Sequence, residues 1–251
     1  MTSSKRTTVL IAGATGAIGR QLVPRLVSLD YRVAGLTRDT NKVNALLKMG
    51  AIPLVVDVFD SDRLTEAMMA VRPDAVIHQL TDLPRNLDAA HMQEGIARNA
   101  RIRTEGTRNL MLAAKAAGVR RIVAQSIAWA YAPGPERFAE TDPLDVQAEG
   151  LRALSVGGIV ALEQAVQEMG GVVLRYGQLW GEGTGVDVPD GKDRPLHIDG
   201  AVTAAIAALS SGTAGAYNIA DNDERLDLTK AHRDFGWKPS APLRTIIPSG
   251  G

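Results

Sequence analysis

The chain of 251 residues contains no cysteine. Disulfides, thiolate metal sites and cysteine nucleophiles are excluded, and a reducing compartment, the cytoplasm, is the expected setting. Charge of one sign is missing too, since 28 lysines and arginines balance 28 aspartates and glutamates. That balance argues against a broad surface for nucleic acid or for an anionic membrane. No apolar run approaches the roughly 18 residues needed to span a bilayer. The opening MTSSKRTT is polar, leads into no signal-peptide core and reads as a frayed tail, as does the closing PSGG. His78, His91, His197 and His232 show no metal-ligand spacing, and neither H-E-x-x-H nor G-x-S-x-G occurs, so no metal is expected. Aromatic residues are scarce, ten in all, which makes their placement informative.

What the chain does have is alternation. Short apolar, β-branched runs at Thr7–Ala12, Arg32–Leu36, Ile52–Val56, Ala75–Leu80, Arg121–Ser126 and Val172–Arg175 predict strands. Helical patterns fall between them, at Gly16–Leu29, Asn41–Lys48, Ser61–Val71, a long Asp88–Ala117 and within Val146–Met169. Continuous rather than alternating apolar strands are the mark of a parallel sheet covered on both faces. The fold class is therefore α/β, a doubly wound parallel sheet. The reading divides the chain into a dinucleotide-binding core, 1–178, and a small C-terminal cap, 179–251, that adds to the substrate pocket. In the cap, Gly181–Arg194 is a loop or lid and Ile198–Leu209 an alanine-rich helix.

The first strand runs into GATGAIG, with Gly13, Gly16 and Gly19 spaced by three. One glycine permits the turn, one lets backbone approach a pyrophosphate, and one lets the helix pack on the strand. Thr15, Ala17 and Ile18 complete that cradle. Lying between the first strand and helix of a βαβ unit, the turn points to a dinucleotide. At the end of the second strand an arginine favours a 2′-phosphate and an acid a 2′-hydroxyl. The chain offers Arg38 and then Asp39, which reads as NADP, with NAD the alternative.

These residues resemble the short-chain dehydrogenase/reductase superfamily, in its extended or atypical, epimerase/dehydratase-like branch. GATGAIG is similar to that branch's glycine turn. Asp57-Val58 resembles its adenine-contacting pair, and the VIHQLT segment, with Gln79, Leu80 and Thr81, its cofactor-lining stretch. GTRNLMLAAKAAGVRRIVAQS, LRYGQLWG and PLHIDGA resemble further segments, so the likeness covers nearly the whole chain. It implies an NAD(P)-binding enzyme acting on a small molecule, and a homodimer through the helices of the Asp88–Ala117 region.

The resemblance breaks at the chemistry. The family's Tyr-x-x-x-Lys is missing, with Ser155 at the tyrosine position and Ile159 at the lysine position. The asparagine of N-x-x-G-T is Arg103, and the strand-five hydroxyl falls on Ile127, one residue past Ser126. Tyr131 and Ser126 are then the candidates for a replacement acid and an oxygen-binding hydroxyl. Trp129, Tyr176, Gln178 and Trp180 follow the strand ends, where ligands bind in such sheets, and predict a pocket for a hydrophobic small molecule. Asp82 and Arg194 are further candidates for the cleft. Three functions remain open at this point: an NAD(P)-dependent oxidoreductase or epimerase/dehydratase with a relocated acid, a non-redox cyclase, isomerase or lyase, and a non-catalytic NAD(P) sensor.

Overall fold

The apolar runs become strands buried on both faces, which is why they do not alternate. The computed structural model describes residues 6–84, 88–134, 136–189 and 194–239. In chain order its main elements are β1 (Thr8–Ala12), α1 (Ala17–Ser28), β2 (Arg32–Thr37), α2 (Val43–Lys48), β3 (Ile52–Val55), α3 (Ser61–Val71) and β4 (Ala75–His78). There follow α4 (Met92–Arg101), α5 (Thr107–Ala116), β5 (Arg121–Ile127), α6 (Gly150–Glu168), β6 (Val172–Tyr176), β7 (Gln178–Trp180), β8 (Pro195–His197), α7 (Ile198–Ser210), β9 (Gly215–Ile219) and α8 (Thr229–Phe235).

Seven strands form one parallel sheet in the order β3-β2-β1-β4-β5-β6-β9. Successive side chains of β1 serve opposite layers. Val9 and Ile11 pack with Leu22 and Leu26 of α1 and with the alanines of α7. Leu10 and Ala12 pack with Leu64 of α3, Leu110 of α5 and Leu162 of α6. The strand order reverses between β1 and β4, and the crevice outside the strand ends at that reversal is where such sheets take ligands.

The last third departs from the predicted division at residue 178. β9 joins the main sheet beside β6, pairing Val172 with Gly215 through to Tyr176 with Ile219. α7 lies on the same layer as α1, its small buried residues Ala201, Ala204, Ala205 and Ala208 letting it settle close to the sheet. The Arg121 guanidinium ties down the end of α7, donating to the carbonyls of Ala208 at 2.7 Å and Gly212 at 3.1 Å. The short pair β7–β8 stands apart from the main sheet.

The long Asp88–Ala117 helix is also interrupted. Between α4 and α5, residues Ile102–Gly106 form a π turn. The Thr107 hydroxyl donates to the carbonyl of Ile102, five residues back, at 3.4 Å. One extra residue shifts the phase of a helical pattern without marking where it falls, and such turns often sit at functional sites. No helix among the described residues is long and apolar enough to cross a membrane.

Candidate active site

The glycine turn leaves β1 at the sheet reversal. Gly13 has φ +92°, and a Cβ there would lie 2.5 Å from the carbonyl oxygen of Gln79. A Cβ on Gly19 would lie 2.3 Å from the Gly13 oxygen. Side chains at either position are therefore excluded, and the backbone of the turn is bare. Gly16 caps α1 without a side-chain hydrogen bond, and no acid occupies the first turn of the helix. Free N–H groups and the positive end of the helix dipole face whatever lies above. Ala17 and Ile18 open the helix, and Thr15 is half-buried beside them.

Around the turn, Arg38, Asp57 and Gln79–Thr81 lie after the ends of the neighbouring strands β2, β3 and β4. Arg38 follows β2, 57% exposed along its side chain, and meets Asp82 at 3.3 Å. Asp82 also faces Arg98 at 3.6 Å. Asp39 is spent locally, because its carboxylate accepts from the Asn41 N–H at 2.9 Å. Asp57, after β3, folds its own loop by accepting from the Phe59 N–H at 3.0 Å. The Val58 carbonyl is fixed by the Asn109 amide at 3.1 Å. Gln79 is buried at the end of β4. Its Nε2 reaches the Tyr176 hydroxyl at 3.4 Å, while its Oε1 is buried without a partner. Leu80 is half-buried and Thr81 exposed. A bare cradle at a helix N-terminus, with an orphaned amide oxygen beside it, fits a dinucleotide.

His78 holds this edge together. Its Nδ1 accepts from the Leu80 N–H at 3.2 Å, which leaves Nε2–H to donate to Thr107 at 2.9 Å. Burial and the nearby Arg103 cation hold its pKa down, at about 4. The ring is neutral and structural.

The residues expected to do the chemistry are occupied otherwise. The Ser126 hydroxyl is buried and donates to Glu163 at 2.6 Å. Arg175 grips the same carboxylate at 3.0 and 2.7 Å. It also donates to the Tyr131 hydroxyl at 3.0 Å, which in turn donates to Asn218 at 2.6 Å. Burial pushes the Tyr131 pKa up. Burial works against the Arg175 charge, but the hydrogen-bonded Glu163 carboxylate more than offsets it. Ser126, Tyr131, Glu163, Arg175 and Asn218 thus form one buried network joining β5, α6, β6 and β9. Parity explains the outcome: Ser126 shares its face with Ile122 and Ala124, the layer under α6.

The aromatic residues behave likewise. Tyr131 stacks on Phe138 at 4.9 Å. Tyr176 is buried in the core and donates to the Ala201 carbonyl at 3.2 Å, with burial raising its pKa. Trp180 donates to Asp221 at 2.8 Å. Gln178 is half-buried in β7 and bonded through its backbone to Arg194. Trp129 is the exception, exposed beside the end of β5 with the Arg152 guanidinium 5.6 Å from its ring centre. A groove of about 460 Å³ follows α1 from Ala17 to Arg25 and is lined on its other side by Glu182 and Gly183, just past Trp180.

Two features were missed from the sequence. Glu163 and Arg175 each interrupt an apolar stretch, which signals mutual pairing. Arg103, noted only as a departure from the resemblance, is 7% exposed and buried between α4 and α6.

Fold and turn together define a Rossmann-type dinucleotide-binding protein. The model of the NAD dependent epimerase/dehydratase family matches residues 9–214, and the chain belongs to that family. It is 39% identical over 237 residues to a 3-diazoavenalumate denitrifying reductase of a Streptomyces species, covering 86% of this chain and 76% of that protein. Among solved structures it resembles the UDP-glucose 4-epimerase of Thermotoga maritima, bound to UDP-glucose, with TM-score 0.76, 19% identity and 94% and 95% of the two chains covered. The UDP-glucose 4-epimerase of Thermus thermophilus, complexed with NAD, gives 0.73, 19%, and 96% and 100%. At that identity the two structures speak for the fold alone. Family and relatives together make this chain an NAD(P)-dependent enzyme of oxidoreductase or epimerase type.

Proposed function

We propose that the chain is an NADPH-dependent reductase of a small electrophilic substrate, rather than an epimerase or dehydratase. The observation that carries this reading is the loss of an ionisable base on α6. Ser155 is 8% exposed at the tyrosine position, and Ile159, 1% exposed, packs with Ala130 and Val156 at the lysine position. Epimerases and dehydratases begin by oxidising an alcohol, which requires a base to take the hydroxyl proton. A reduction needs no such base, and the acceptor can draw its proton from water. Bound nicotinamide supplies the hydride, and the protein's share is orientation and exclusion of competing reactions. The name of the reductase relative supports the same direction.

In this reading Gly13, Thr15, Gly16, Ala17, Ile18 and Gly19 hold the pyrophosphate. Asp57 and Val58 flank the adenine, and Gln79, Leu80 and Thr81 lie along the nicotinamide half. The choice of NADPH rests on Arg38, whose guanidinium is exposed, and on Asp39, whose carboxylate is already used as a cap. Trp129 offers the apolar surface for substrate at the end of β5.

Calorimetric titration with NADPH and NADH tests this first. Micromolar NADPH binding, tighter than NADH, is expected. Arg38→Ala should weaken NADPH by about tenfold, the value of one charge-assisted contact, and leave NADH unchanged. Failure of the wild type to bind either nucleotide would refute the reading. With binding in hand, loss of NADPH absorbance is followed against a panel of electrophiles.

A further inference from the structure

We propose that Arg103 is the anion-binding residue of the substrate site, where it meets a carboxylate of the substrate. The proposal rests on the reductase reading above and names the class of its substrate, a small apolar acid.

Arg103 is 7% exposed, yet no hydrogen-bond or ion-pair partner for it exists among the described residues. The chain treats its other buried or part-buried arginines differently. Arg175 has Glu163, the Tyr131 hydroxyl and the Glu140 carbonyl. Arg121 has the carbonyls at the end of α7. No carboxylate near Arg103 relieves its burial, which lowers its pKa to about 10, so it stays charged at neutral pH. An uncompensated buried ion is costly, and a protein keeps one where a ligand completes it.

Its placement fits that role. Arg103 lies in the π turn, within electrostatic reach of His78 at the end of β4. Across from it, a Cβ on Gly158 would lie 3.4 Å from the Arg103 Cβ, so α6 touches it within one turn of Ser155 and Ile159. The cation missing from α6 at Ile159 is thus present across the α4–α6 contact. The pyrophosphate cradle lies at α1, whose core belongs to the opposite face of the sheet. A planar guanidinium with all its donors free matches a carboxylate in a two-pronged contact.

The test uses NADPH-saturated wild type, Arg103→Gln and Arg103→Lys, with benzoate and its uncharged analogue benzamide as probes. Wild type is expected to bind benzoate at least fivefold more tightly than benzamide. Arg103→Gln should abolish that preference, keep NADPH affinity within twofold, and melt no lower than wild type without ligand. Arg103→Lys should keep part of the preference. Equal binding of the two probes by wild type overturns the proposal. A tenfold loss of NADPH affinity in Arg103→Gln also overturns it, assigning the guanidinium to the cofactor, and a lowered melting temperature assigns it to the fold. If wild type binds no NADPH, the reductase reading fails separately, and the two probes still decide Arg103 on the cofactor-free protein.

Discussion

Substituting the buried network separates a structural role from a catalytic one. Glu163 accepts from Ser126 at 2.6 Å and from Arg175 at 3.0 and 2.7 Å, and both partners of the ion pair are at most 6% exposed. Glu163→Gln leaves the Arg175 charge buried without its counter-ion, a loss of about 3–5 kcal/mol. For a chain of this size that lowers the melting temperature by roughly 6–20 °C. Ser126→Ala removes one hydrogen bond to a charged group, about 1.5–3 kcal/mol and roughly 3–12 °C. Tyr131→Phe forfeits its contact with Arg175 and another with Asn218, and belongs in the same range. Replacing Glu163 and Arg175 together by leucine and methionine should cost less than the sum of the single changes, since no lone charge remains. The assay is thermal and urea unfolding beside turnover measured well below each variant's transition. A Ser126→Ala or Tyr131→Phe protein that melts like wild type but loses a hundredfold in turnover would refute this account and return those hydroxyls to the chemistry.

His78 gives the chain an acid sensitivity. It stays neutral when folded, with a pKa of about 4, whereas the unfolded ring protonates near 6.5. The unfolded state therefore binds the extra proton between those values, and stability falls as pH drops from about 6.5 to about 4, by about 3 kcal/mol in all. Urea titrations across that range should show the slope, and His78→Gln should flatten it. At the glycine turn, Gly13→Ala forces a left-handed conformation on a side chain that meets the Gln79 oxygen at 2.5 Å. Conformational strain alone is worth about 1–3 kcal/mol, read as a lower melting point together with weakened NADPH binding. An alanine variant that matches wild type in both would show that the turn tolerates a Cβ.

Much of the architecture was legible because it rests on local pattern. Strands buried on both faces carry unbroken apolar runs, and glycines that admit no Cβ must stay glycine, so β1 through β6 and the Gly13–Gly19 turn could be read directly. The site was harder, because it depends on which way side chains point. Ser126 sits one residue from the position the resemblance implied, and in a strand that single step turned its hydroxyl toward Glu163. The aromatics after the strand ends looked like a pocket lining, but Tyr131, Tyr176 and Trp180 bond to Asn218, Ala201 and Asp221 instead. β9 was read as part of a cap because nothing in its five residues says which sheet it joins. The one available signal for the network was charge out of place, Arg175 inside VVLRY and Glu163 inside an apolar helix.

The π turn between α4 and α5 bears on how such a chain can diverge. Each residue of an α helix advances its side chain by about 100°. The π turn takes up one residue beyond regular winding, so losing one codon within Ile102–Gly106 would restore an α helix and leave α4 and α5 facing as they do now. Ala100 would keep its place against Gly158, where an added Cβ would lie 3.2 Å from the Ala100 Cα. A deletion is normally ruinous inside a packed helix. Here it would leave a better-formed helix with the sheet untouched, and would remove the bulge that carries the buried Arg103.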